Sequence, residues 1–182
     1  MAEPVSRLFF ALWPDEPMQA ALAEAVGPMV MSGGGRLVPT QKLHLTLVFL
    51  GAVPESRVAL LSPIAAQVAA AFSLGDEPLT VTLDRVEYWR KAQILCATAS
   101  ADPPAAIELS NALKRALIEQ GFAPDLKPFR SHATFARKVQ RVTGELGMPA
   151  VHWRFRDFHL IESRSEPDGS TYSSRQKWLL DK

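Results

Sequence analysis

Cysteine occurs once in these 182 residues, so no intrachain disulfide can staple the fold. Cys96 lies in the apolar run Ile94-Leu95-Cys96-Ala97 and reads as a small buried hydrophobe, not a reactive thiol. Long hydrophobic stretches are missing too. The run from Leu8 to Trp13 is too short for a signal-peptide core and stops at Pro14 and Asp15. Nothing approaches the roughly 20 apolar residues of a membrane span, so a cytoplasmic protein is expected. An excess of one charge is also lacking: 20 Lys and Arg stand against 19 Asp and Glu, a net +1. Proteins that coat nucleic acid are far more basic, so any contact with a polyanion should be local. With 47% hydrophobic and 21% charged residues and no low-complexity tract, the chain reads as globular. Its length suits one domain over 1–182, with two internal lobes.

What is present alternates strand and helix signals. Arg7 to Trp13 reads as a buried strand, and Asp15 as the N-cap of a helix over Met18 to Val30. The glycines after Ser32 end that helix; no Gly-Lys-Ser/Thr follows to make them a phosphate loop. Leu43 to Val53 predicts a strand, Ser56 to Phe72 a helix, and Leu79–Trp89 with Gln93–Ala99 a hairpin turning at Arg90-Lys91-Ala92. Pro103 and Pro104 open a helix that Gly121 closes. Ser131 to Val139 is a strand. Val151 to Ser163 alternates, with an irregularity near Asp157-Phe158 that suggests a bulge, and Tyr172 to Leu180 closes the pattern. The order predicts an α+β fold with antiparallel sheets. Each half of the chain carries helix and strand elements around one motif strand, which predicts two pseudo-symmetric lobes with helices outside and a central cleft.

The motif is a repeated tetrapeptide, His44-Leu45-Thr46-Leu47 and His132-Ala133-Thr134-Phe135. In a strand, residues two apart share a face, so each imidazole lies beside its own hydroxyl. Should the fold bring both strands to one cleft, one imidazole can take a proton while the other gives one. Histidine does either near neutrality, from an ordinary pKa near 6.5. Opening a cyclic phosphodiester with water needs that pair, plus fixed donors for the phosphoryl oxygens. Thr46 and Thr134 can supply two. A guanidinium would add a charge-assisted contact, and the C-terminal third is rich in Arg. On a regular strand Arg137 would project to the face opposite His132, whereas Arg130 shares its parity. Parity therefore favours Arg130.

Competing chemistry lacks its residues. A metal site would need a third ligand, and neither motif has Asp or Glu nearby in sequence; no cofactor is implied either. A Ser-His-Asp triad lacks the Gly-x-Ser-x-Gly elbow. His152 shares a strand face with Arg154 and Arg156 and is expected to be exposed, while the facing of His159 is open. Of the aromatics, Phe9, Phe10 and Trp153 are candidates to stack a nucleobase.

The segments HLTLVFLG (44–51) and PFRSHATFAR (128–137) resemble the paired signatures of the two-histidine phosphoesterases, in particular the bacterial and archaeal RNA 2′,3′-cyclic phosphodiesterases once described as 2′–5′ RNA ligases. RLFFALWP at 7–14 and the tail residues Ser163, Pro167, Gly169 and Tyr172 extend the resemblance over nearly the whole chain. It implies a bilobal fold and metal-free hydrolysis of 2′,3′-cyclic phosphate ends of RNA or nucleotides to a 2′-phosphate. It also implies His44 as proton donor, His132 as proton acceptor, Thr46 and Thr134 on the phosphate, and Arg137 as the recurrent basic residue. Arg130 and Arg137 thus both stand as candidates. The departure is Ser131-His132-Ala133, where relatives often carry Pro before His and a larger aliphatic after it. Two-prime to five-prime end joining or cleavage, and a nucleotide or RNA-end binding module without turnover, remain as alternatives. No obligate protein partner is implied, and a monomer is expected.

Overall fold

The computed structural model describes residues 3–27, 35–142, 146–167 and 169–180. The first strand, β1 (Val5–Leu12), is apolar on both faces and becomes an inner strand of a four-stranded antiparallel sheet in the order β10-β9-β1-β3. β1 pairs with β3 (Leu45–Pro54) and β9 (Asp157–Glu166), and β10 (Gly169–Leu179) pairs with β9 at the edge. A second four-stranded sheet runs β2-β7-β6-β5, from β2 (Arg36–Leu37), β5 (Arg85–Trp89), β6 (Ile94–Thr98) and β7 (His132–Arg137). A two-stranded ribbon pairs β4 (Leu79–Leu83) with β8 (Val151–Phe155).

Among the described residues, four α-helices complete the α+β fold. Asp15 caps α1 (Glu16–Val26) by accepting the Met18 N–H at 2.9 Å, as expected of an N-cap carboxylate. Val30 and the Ser32-Gly33-Gly34 segment lie outside the described residues. The predicted helix over Ser56 to Phe72 is instead two, α2 (Glu55–Val58) and α3 (Leu61–Ala71). Pro63 supplies no N–H for the Ala59 carbonyl, so the ladder cannot run through. Pro103 and Pro104 begin α4 (Pro104–Glu119), and Gly121, at φ +73°, turns the chain out of it.

Two further expectations are corrected. Leu79–Trp89 is not one strand but β4 and β5, in different sheets, divided at Asp84, whose carboxylate accepts both the N–H (2.8 Å) and the hydroxyl (2.6 Å) of Ser100. The irregularity near Asp157 is likewise a change of sheet, from β8 to β9 across Arg156. The lobes therefore do not divide the chain at its middle, because β9 and β10 return to the sheet of β1. The helices cross over as well: α4 packs on β3 and α1 on β8. Ser110 of α4 donates its hydroxyl to the Leu47 carbonyl (2.7 Å), and Trp153 of β8 donates its indole N–H to the Met18 carbonyl of α1 (2.7 Å). One continuous apolar core joins both sheets through Leu8, Phe10, Leu47, Leu109, Leu113, Phe135, Trp153 and Phe158. A smaller cluster of Phe9, Ala11 and Ile161 lies on the other face of the first sheet, packed with Trp13, Phe49 and Tyr172. No helix among the described residues is long and apolar enough to cross a membrane.

Candidate active site

His44 sits one residue before β3 and His132 is the first residue of β7, so each motif histidine stands at a strand's entrance. Alternation does the rest. Leu43, Leu45 and Leu47 are buried while His44 and Thr46 between them are half-buried; Ala133 and Phe135 are buried while His132 and Thr134 are half-buried. All four polar residues line one cleft of about 770 Å³ between the sheets.

The two imidazoles are fixed by the same local device. The Nδ1–H of His44 donates to the Lys42 carbonyl at 2.7 Å, and that of His132 to the Arg130 carbonyl at 2.8 Å, each two residues upstream. This sets the neutral tautomer and leaves each Nε2 free for chemistry.

Their surroundings differ. His44 is boxed by three rings: Trp13 stacks on it at 5.1 Å and 7°, Phe9 lies at 5.1 Å, and Tyr172 meets it edge-on at 5.2 Å. Loss of water in this box pushes its pKa down to about 4, with His132 and Arg137 adding repulsion. His132 is also pushed down, chiefly by desolvation and by the Arg130 charge, but the Asp102 and Glu87 carboxylates pull the other way. Its ring neighbour is Trp89 at 4.8 Å. Glu87 organises that side: it accepts the Trp89 indole N–H (2.9 Å), the Thr98 hydroxyl (3.2 Å) and the Arg130 guanidinium.

The two candidate arginines separate. Arg137 lines the cleft; Arg130 is not among its lining residues and is paired with Glu87, its guanidinium 5.6 Å from the Trp89 ring. The parity argument holds only for a regular strand, and β7 is not regular. Cys96 pairs with Thr134 and Leu95 with Ala136, which leaves Phe135 as an extra residue. This bulge turns Arg137 back to the face of His132 and Thr134. The adjacent apolar residues Phe135 and Ala136, both buried, were the available signal, since they break the alternation.

Four cations line the cleft (Arg7, Arg36, Lys42 and Arg137), and among the described residues no Asp or Glu does. In a chain of net +1 this concentrates positive potential where both motifs meet. Lys42 also donates to the Ser170 carbonyl (2.8 Å), tying the turn before His44 to β10. Among the described residues no three His, Cys, Asp or Glu side chains are grouped to hold a metal ion. Cys96 is buried beneath Thr134, its Sγ 3.5 Å from Oγ1, and desolvation pushes its thiol up to about 11. Of the stacking candidates only Phe9 reaches the cleft; Phe10 and Trp153 are fully buried in the core. His152 is exposed, its Nδ1 2.9 Å from the Thr82 hydroxyl, and His159 is paired with Asp157 at 3.2 Å. Trp13 and Trp89 read from sequence only as core or cleft wall and Tyr172 only as part of the resemblance; their ring contacts with the histidines, and the roles of Glu87 and Lys42, depend on contacts that no sequence window displays.

The profile of the 2′-5′ RNA ligase superfamily matches residues 14–167, a span that includes both His-x-Thr segments. The chain belongs to this superfamily. Within it, the RNA 2′,3′-cyclic phosphodiesterase of Escherichia coli K12 is 26% identical over 182 residues, covering 99% of each chain. The protein of the same name from Thermus thermophilus is 29% identical over 185 residues, covering 96% of this chain and 90% of the relative. The crystal structure of E. coli LigT complexed with 3′-AMP shares the fold at a TM-score of 0.83 and 24% identity, over 98% of this chain and 100% of that one. The crystal structure of TT0787 of T. thermophilus gives 0.79 at 27% identity, covering 96% and 97%. The bilobal α+β fold and the two-histidine resemblance thus agree with the superfamily assignment.

Proposed function

We propose that this protein hydrolyses 2′,3′-cyclic phosphodiester ends of RNA or nucleotides to a 2′-phosphomonoester, using its own side chains and no metal. The observation that carries the reading is the pair of Nδ1-anchored imidazoles sharing one cation-lined cleft with two threonine hydroxyls. The names of the relatives support the same substrate class.

In this mechanism His132 Nε2 takes a proton from water, which attacks phosphorus in line with the bond to the 3′-oxygen. His44 Nε2–H protonates the departing oxygen, and the 2′-ester bond stays intact. Thr46, Thr134 and Arg137 hold the non-bridging oxygens as negative charge grows on them; Arg130 acts on His132 through its carbonyl. The local electrostatics support the base role of His132 in this division of labour. Desolvation keeps His132 neutral, as a base must be, while its nearby carboxylates stabilise the imidazolium it becomes. Burial pushes His44 down to about 4, so near neutrality its Nε2 carries a proton only once the bound phosphate has raised its pKa. The phosphate charge supplies the counter-ion its box lacks, and the Trp13 face stabilises the imidazolium.

The test is to incubate the protein with 2′,3′-cyclic mononucleotides and a cyclic-ended oligonucleotide in EDTA and identify the products. EDTA-resistant release of 2′-phosphate is expected. A 3′-phosphate product, a 2′–5′-joined product, or binding without turnover would each overturn the assignment.

A further inference from the structure

We propose that the cleft contains a second phosphate subsite, centred on Arg7, which takes the internucleotide phosphate one nucleotide upstream of the cyclic end. The inference rests on the hydrolytic reading above and deepens it: the preferred substrate is an RNA terminus, not a free cyclic mononucleotide.

Arg7 lies on β1 two residues before Phe9, on the same face, and the Phe9 ring packs on His44. Ala11 is the register partner of Thr46, so Arg7 stands four strand residues, about 13 Å along β1, from the level of Thr46, a span that its extended side chain and one nucleotide step together cover. Across the ladder Arg7 pairs with Ser163 of β9, and Ser163 pairs with Tyr172 of β10, whose ring also meets His44. Arg7, Ser163 and Ser165 all line the same cleft as the two histidines. A guanidinium flanked by two hydroxyls therefore continues directly from the catalytic face.

The charge balance points the same way. Arg7 rests with its guanidinium 5.0 Å from the Phe49 ring and has no carboxylate partner among the described residues. The neighbouring acid, Glu162, is on the opposite face of β9 and already accepts from Arg164 (3.1 Å) and Arg175 (2.7 Å). An unpaired guanidinium with adjacent hydroxyls presents the fork that phosphate oxygens engage. A cyclic mononucleotide held at the histidines has no group to place there. An RNA end does.

The experiment compares three substrates: a 2′,3′-cyclic mononucleotide, a dinucleotide with a 2′,3′-cyclic end, and that dinucleotide with a neutral methylphosphonate linkage. Wild type, Arg7→Gln and Arg7→Lys are measured for kcat/KM, and for Kd against the matching 2′-phosphate products. The dinucleotide is expected to exceed the mononucleotide about tenfold, and the methylphosphonate to lose that advantage. Arg7→Gln should lower the dinucleotide value about tenfold more than the mononucleotide value, and Arg7→Lys should restore part of the difference. Equal values for dinucleotide and mononucleotide would overturn the subsite. So would an advantage retained by the methylphosphonate, which would indicate base stacking on Phe49, or an equal loss on both substrates. Absent turnover overturns the hydrolytic reading instead, and the Kd comparison still decides the subsite.

Discussion

The two half-sites carry the same tetrapeptide and the same Nδ1 anchor, yet they are different electrostatic environments. His44 is enclosed by Trp13, Phe9 and Tyr172 with no carboxylate among the described residues of its box, and it is pushed down to about 4. His132 has an indole beside it and two carboxylates within electrostatic reach. A symmetric motif thus acquires asymmetric chemistry from residues outside the motif. The proposed division into acid and base would rest on those neighbours, and substitutions can take the two halves apart.

The largest effects should come from the imidazoles. Replacing His44 or His132 by Ala should each lower kcat/KM about 10³-fold, with the double variant falling little further because the pair acts as a unit. An activated ester with a nitrophenolate leaving group sharpens the contrast. It needs no proton donor, so it should rescue His44→Ala and leave His132→Ala inactive; equal rescue would erase the proposed division. The arginines come next. Arg137→Ala should cost about 10²-fold in kcat/KM, whereas Arg130→Ala, removing a guanidinium already paired with Glu87, should cost less than about tenfold.

Titration reads the difference in surroundings directly. Opening the box with Trp13→Leu should raise the His44 pKa from about 4 toward the ordinary 6.5 in an NMR titration. Glu87→Gln should move His132 the opposite way, further down, by removing a carboxylate that holds it up. The His44 shift also has a stability consequence. Its folded pKa lies below the unfolded one, so the unfolded chain binds the proton more readily. Stability is therefore full above about pH 6.5 and falls by about 3 kcal/mol as pH drops toward 4. Urea midpoints across that window should show the fall, and Trp13→Leu should flatten it. The smallest contrast is at the residue before each histidine: buried Leu43 in one half, buried Ser131 in the other, whose hydroxyl has no hydrogen-bond partner among the described residues. Ser131→Ala should be neutral or raise stability by up to about 1 kcal/mol in thermal unfolding.

How much of this is legible from sequence depends on whether the signal is local. The His-x-Thr pairs are local, with a period of two, and the strands at 45–54 and 132–137 follow from them. The Asp15 cap and the turns at Pro103 and Gly121 are equally local. Arg137 is not: it reaches the cleft only because of the extra residue at Phe135. Nor can any window contain both His44 and Tyr172, or show that β4 and β5 part company at Asp84. The crossing of α1 and α4 between the sheets depends on tertiary packing, where amphipathic helices can choose either partner.

That return of β9 and β10 to the sheet of β1 has a consequence for the protein's birth. The first half-site draws Phe9 and Trp13 from the start of the chain, His44 from its first quarter, and Tyr172 and the Ser170 anchor from its last strand. A nascent chain can expose both histidines long before that strand leaves the ribosome, but it cannot assemble the box that tunes His44. Activity should therefore switch on only once β10 has been made and has folded back, and truncation before residue 170 should silence a polypeptide that still carries both motifs intact.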